Sequence, residues 1–240
     1  MGKKKSKKAA QPLEQLIDAA DPAVLSELIQ QLAASGPSVR RQCLEFLQKH
    51  VNVTASTKAG ADVEAVYSIW EELEPDLVDL NEYGGGSDEI VDHVADLLYD
   101  LSQKLKQCAI PRDDRSELLD YVMPFITSGN SGLEDPLHQV SDALCQDDED
   151  WRQFAIRLEK SGREALLNHA RRIYRDLGDR DKYLALRSRR MEYGADYFDL
   201  ASFYWEHGDR DKAMETAREG LQKATGRMDE LEAFVTKWGR

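Results

Sequence analysis

Gly-Asp-Arg-Asp-Lys stands at residues 178–182 and again at 208–212, thirty residues later. The flanks match by type at the same offset. Ile173-Tyr174 answers to Phe203-Tyr204, Ala170 to Leu200 and Leu184 to Met214. In each copy the glycine follows an apolar-periodic stretch and the Asp-Arg-Asp opens another, the pattern of a helix stop followed at once by a helix start. Each copy therefore reads as a helix–turn–helix hairpin. A hairpin of this length cannot bury its apolar face alone and must stack on neighbours, which is the physics of a helical repeat array.

These units resemble the tetratricopeptide family. Placing Gly208 at the family's inter-helix glycine puts Tyr197, Leu200, Ala201 and Tyr204 at first-helix packing positions. Ala213, Ala217 and Gly220 then fall where the second helix needs small residues. The earlier unit departs from the pattern, with Arg171, Tyr183 and Arg187 where small or apolar residues are usual, and the spacing is thirty rather than thirty-four. The resemblance implies a right-handed α–α superhelix of antiparallel helix pairs. The runs 177–187 and 197–204, with the opening from Asp21 to Phe46, also resemble the helical C-terminal region of bacterial SWIM zinc-finger proteins. That family's Cys-x-Cys…Cys-x-His motif is not in this sequence, so neither its zinc nor a nucleic-acid role is implied.

Outward from the repeat, the chain is punctuated as helix throughout. Asp21-Pro22 and Asp135-Pro136 each set a capping carboxylate before a proline at a first helical position. After the first, Val24, Leu25, Leu28, Ile29 and Leu32 recur at helical spacing until Gly36-Pro37. A helix from Ala61 carries Val63, Val66, Tyr67, Trp70 and Leu73, and Pro75 kinks or divides it. Asn81 to Ser87, holding three consecutive glycines, reads as a flexible connection, and Ser87 caps the next long helix. Val51-Asn52-Val53-Thr54 reads as loop, and nothing alternates as a half-buried strand would. The class is all-α, with helix pairs over 12–50, 61–108, 112–145 and 149–238. Three regions follow: a disordered basic tail 1–11, a helical region 12–150 with an acidic segment 61–100, and repeats over 151–240.

Charge is uneven. The formal net charge is −13, yet residues 1–10 hold five lysines and no acid. Thirteen acids lie from Asp62 to Asp100 without a single Lys or Arg, while residues 151–240 carry nineteen basic against sixteen acidic residues. No apolar run reaches the ~18–20 residues of a membrane span. Three scattered cysteines, Cys43, Cys108 and Cys145, argue against a disulfide framework and for a reducing cytoplasm.

Chemistry is thinly represented. There is no phosphate loop, dinucleotide fingerprint or nucleophile elbow. Cys43 with His50 and His138 with Cys145 stand seven residues apart, roughly 10 Å along one helix, too far for one zinc ion with ligands at about 2.0–2.3 Å. No metal, cofactor or catalytic group is expected. Eleven basic residues from Arg157 to Arg190, interleaved with Tyr174 and Tyr183, leave a nucleic-acid-associated protein using segment 171–190 as an alternative, although five acids dilute them.

The leading expectation is a non-enzymatic adaptor that presents a groove to a protein or peptide segment. The tetratricopeptide register implies that Asn168, Arg172 and Arg175 line the groove from one unit, and Phe198, Ser202 and Trp205 from the next. Two arginines beside two aromatics suit a partner carrying carboxylates. The competing reading has Phe198 and Trp205 pack beneath a last helix, Arg227 to Trp238, that caps the groove.

Overall fold

A computed structural model describes residues 12–128 and 132–239; the lysine-rich tail, and its expected disorder, lie outside the described residues. Thirteen α-helices and no strand are present among them. The chain divides into two compact units, 1–144 and 145–240. The expected division at 150/151 falls within a helix, because Asp147 accepts the N–H groups of Glu149 and Asp150 at 3.0 Å and starts that helix early.

The first unit holds α1 (Pro12–Ala19), α2 (Pro22–Ala33), α3 (Pro37–His50), α4 (Ala55–Tyr83), α5 (Asp88–Gln107), α6 (Arg112–Ser128) and α7 (Glu134–Leu144). Residues 12–50 thus form three helices rather than a pair. Its core lies among α4–α7, where Leu73, Leu77, Leu98, Leu101, Leu118 and Leu137 are essentially inaccessible. Trp70 of α4 stacks on Tyr121 of α6, with centroids 6.1 Å apart. The helix expected from Ala61 begins at Ala55, because the Thr54 hydroxyl accepts the N–H of Thr57 at 3.2 Å. Pro75 does not divide it. The carbonyl deprived of a partner belongs to Glu71, an exposed residue, and the helix runs on to Tyr83. The connection expected from Asn81 is therefore shorter, beginning at left-handed Gly84. Ser87 caps α5 and Asp21 caps α2 as their sequences predict. Asp135 instead lies inside the first turn of α7, since the Leu133 carbonyl accepts the first helical bond, from Leu137. Pro136 fits there, its missing N–H being one that the first turn leaves unbonded anyway.

The second unit holds α8 (Asp148–Lys160), α9 (Glu164–Asp176), α10 (Arg180–Arg187), α11 (Gly194–Glu206), α12 (Arg210–Lys223) and α13 (Asp229–Trp238). The two Gly-Asp-Arg-Asp-Lys copies build the same turn. Gly178 and Gly208 adopt φ of +70° and +80°, the left-handed conformation that favours glycine. Asp179 N–H reaches the Tyr174 carbonyl at 2.8 Å, and Asp209 N–H the Tyr204 carbonyl at 2.9 Å, each closing a helix in a Schellman motif. Each aspartate's own carbonyl then accepts the first bond of the next helix, from Tyr183 and Ala213, both at 3.0 Å. Five residues therefore stop one helix and start another. α9 packs on α10 and α11 on α12, while α13 lies against α11 and α12. α10 is only eight residues long against fourteen in α12, which is where the first repeat falls short of the second.

Candidate binding surfaces

Of the three residues that broke the repeat pattern, Tyr183 and Arg187 form a polar seam between the hairpins, and Arg171 is satisfied within its own helix. Arg171 is buried and paired with Glu164 at 2.8 Å. Tyr183 is buried, stacks near Phe203 at 4.1 Å and donates its hydroxyl to Asp199 Oδ2 at 2.7 Å. Burial, then that hydrogen bond, push its phenol well above the usual range. Arg187 is buried and donates to Asp196 Oδ1. Asp196 also accepts the N–H groups of Glu192 and Tyr193 at 3.0 and 2.9 Å, tying the end of α10 to the start of α11. Burial alone raises the Asp196 carboxyl, but the two backbone N–H groups and the Arg187 guanidinium outweigh it and hold the group below its ordinary pKa.

The same seam consumes part of the expected groove. Arg175 donates to Asp199 Oδ1 and to Glu206 Oε2, both at 2.6 Å, so its fork is filled by carboxylates of α11. Phe198 and Trp205 are brought together, but under α13: both meet the Phe234 ring edge to face, at 6.2 and 5.7 Å, and Trp205 also lies 4.5 Å from Trp238. Ser202 sits half-buried between them in sequence. Asn168 and Arg172 stand exposed on α9. The capped arrangement is thus the one found, because Leu231 and Phe234 give α13 an apolar face that α11 and α12 can bury.

An open groove of about 1030 Å³ remains beside this cap, lined by Trp205, Arg210, Met214, Arg218, Lys237 and Trp238. Its indole faces are already covered: the Arg210 guanidinium stands 5.2 Å from Trp205, and the Lys237 ammonium 4.5 Å from Trp238. Each indole of the groove thus already has a cation near it, while Trp238 stays 39% exposed.

The basic segment is likewise occupied. Of the eight Lys and Arg residues in 171–190, Arg171, Arg175, Arg180, Lys182, Arg187, Arg189 and Arg190 are each ion-paired with a carboxylate of this unit; Arg172 alone is not. Among the described residues, no three His, Cys, Asp or Glu side chains are grouped to hold a metal ion, and no helix is long and apolar enough to cross a membrane.

A second surface was not foreseen. α1 and α2 bury no residue at all. Leu16 is 68% exposed, Leu28 45% and Phe46 of α3 63%, and Leu13, Ile17, Val24, Ile29 and Leu32 are exposed with them. α3 turns its other side to α4, where Arg40 and Arg41 pair with Glu71 and Glu72 at 3.3 and 3.0 Å. The periodic spacing of these aliphatics was plain in the sequence. That no other face among the described residues buries them depends on neighbours far along the chain, which periodicity does not report.

Compared with known proteins, the chain matches no family model, no curated protein and no solved structure.

Proposed function

We propose that this chain is a non-enzymatic helical scaffold that binds a protein or peptide segment, and that the partner docks on the apolar face of α1–α3. One observation carries the reading: two consecutive amphipathic helices bury nothing, and their large aliphatics lie open together with Phe46. Large aliphatics left exposed on consecutive helices are costly in water and point to an interaction site. The repeats of the second unit we read as two units of a tetratricopeptide-like right-handed superhelix, supported by the two matched turns thirty residues apart. In this reading they are framework, since α13 covers Phe198 and Trp205 and the seam holds Arg175. The likeness to the helical region of SWIM proteins adds no activity. A nucleic-acid role loses its support, because cations already paired with carboxylates release few counterions on meeting phosphate.

A photo-reactive amino acid placed at Leu28 of the full chain tests this in the native cell. It should give a discrete protein adduct, resistant to nuclease, that is missing when the probe stands at Gln30 on the polar side of α2. Equal labelling from both positions, or an adduct lost on nuclease treatment, contradicts the reading.

A further inference from the structure

α3 is held to the rest of its unit more by charge than by apolar burial. It packs on α2 and α4 and, like α1 and α2, contains no buried residue. Arg40 and Arg41 pair with Glu71 and Glu72 of α4 at 3.3 and 3.0 Å, and Gln48 donates to Asp62 Oδ1 at 3.0 Å. Glu45 stands 4.0 Å from Lys104 of α5, whose ammonium also lies 3.8 Å from Asp62. Arg41 Nη1 and Glu72 Oε2 are shut away from water, yet among the described residues neither atom is hydrogen-bonded. The hydroxyl of fully buried Ser68, one turn before Glu72, is likewise without a hydrogen bond there. Polar atoms buried in this way work against closure. By contrast Leu73 and Leu77 of α4, and Leu98 and Leu101 of α5, are wholly inaccessible.

We infer that residues 12–50 form a detachable layer, in which α3 is a charge-held latch on α4 that opens and carries α1 and α2 with it while α4–α7 stay folded. The part of α4 on the side of these pairs, Asp62, Ala65 and Ser68, is small or polar, so uncovering it exposes little apolar area. The exposed connection 51–54 is the hinge. Elements with few buried contacts open at free energies well below that of global unfolding. Once detached, three short helices without a core of their own lose most of what keeps them helical, so the layer opens and frays as one unit. Salt opens the latch by screening its more exposed pair, Arg40 with Glu71. The latch lies on the side of α3 away from exposed Phe46 and does not depend on what docks there.

The test is amide hydrogen exchange on the full chain, read peptide by peptide by mass spectrometry. In dilute salt α3 should exchange at least about tenfold faster than α5, and about 1 M salt should speed α3 further while leaving α5–α7 unchanged. Arg40→Glu with Arg41→Glu should speed α3 by about another tenfold. Adding Glu71→Arg and Glu72→Arg to that variant restores the pairs with their signs exchanged, and should return α3 to within about threefold of its original rate. Ser68→Ala, which removes a buried hydroxyl without a hydrogen bond, should slow α3. Protection of α3 equal to that of α5, or exchange of α3 indifferent to salt, overturns the latch. So does a charge reversal that leaves α3 unchanged or that the reciprocal swap does not rescue. A reversal that speeds α5–α7 in step with α3, or unfolds the whole chain, overturns it as well, since the layer would then belong to one cooperative core. Exchange of α3 that is unchanged or faster in Ser68→Ala overturns the under-bonded interface on which the latch rests.

Discussion

α2 and α11 are helices of twelve and thirteen residues, each with an apolar side. α11 buries Tyr197, Leu200, Ala201 and Phe203 against α10, α12 and α13. α2 touches α3 and buries none of its residues. Local chemistry starts both properly, through the Asp21 side chain in one and Asp196 in the other. What separates them is the supply of neighbours. An apolar stripe is a demand for a second surface, and most of a helix's stability in a protein comes from meeting it. In the second unit the chain meets that demand twice over, with hairpins and a last helix. In α1–α2 it leaves the demand open, and that difference locates the binding surface.

The sharpest way to break this comparison is to delete matched aromatics. Phe203→Ala empties a fully buried site and should cost about 3–5 kcal/mol in urea denaturation. Phe46→Ala removes a ring that stands largely in water and should stay within about 0.5 kcal/mol. Comparable losses would show that α3 is packed as α11 is.

Asp199→Ala strips the acceptor shared by Arg175 and Tyr183 and should cost about 1.5–3 kcal/mol. Glu27→Ala, at the exposed face, should change stability negligibly. The neighbouring Asp196 adds a pH signature. Its carboxyl is held below its ordinary value, so its contribution is complete above about pH 5 and is lost as acid drives the pH down through the depressed pKa. Asp196→Asn should flatten that acid limb, and an unchanged limb would remove Asp196 from the seam's energetics.

Glycine replacements give the smallest and most discriminating pair. A Cβ on Gly220 would lie 2.5 Å from Tyr197 Cβ and 2.8 Å from Leu231 Cδ1, so Gly220→Ala should cost about 1–3 kcal/mol although alanine is the better helix former. Gly60 in α4 has open space where a Cβ would go, and Gly60→Ala should add about 0.5–1 kcal/mol. Thermal melts of the two variants that move the same way would contradict the close approach of α11, α12 and α13.

Much of this was legible before the coordinates. The doubled Gly-Asp-Arg-Asp-Lys encodes its turn locally, through a left-handed glycine and an aspartate whose backbone serves both helices, so sequence reading found it. Gly220 was legible as a close-approach residue only through the tetratricopeptide-like register. Arg171, Tyr183 and Arg187 were visible only as misfits, because nothing in the repeat register points to their carboxylate partners, which stand seven, sixteen and nine residues away. Of the two outcomes open at Pro75, a kink or a break, the break does not occur, since α4 runs through it. The six expected groove residues lie in different settings, with Arg175 in the seam, Phe198 and Trp205 against α13, and Asn168 and Arg172 exposed on α9. Whether α13 covered Phe198 and Trp205 was a question of tertiary packing, and both answers fitted the same residues. The open face of α1–α2 is the hardest kind of feature to read, since it consists of a contact that the rest of the described residues do not supply.

Amide hydrogen exchange on the full chain, without partner, measures that missing contact most directly. The backbone amides of α1 and α2 should exchange at least a hundredfold faster than those at the centre of α11, because only local opening is needed to expose them. Protection of α1–α2 equal to that of α11 would mean that the chain covers this face itself, and would contradict the account.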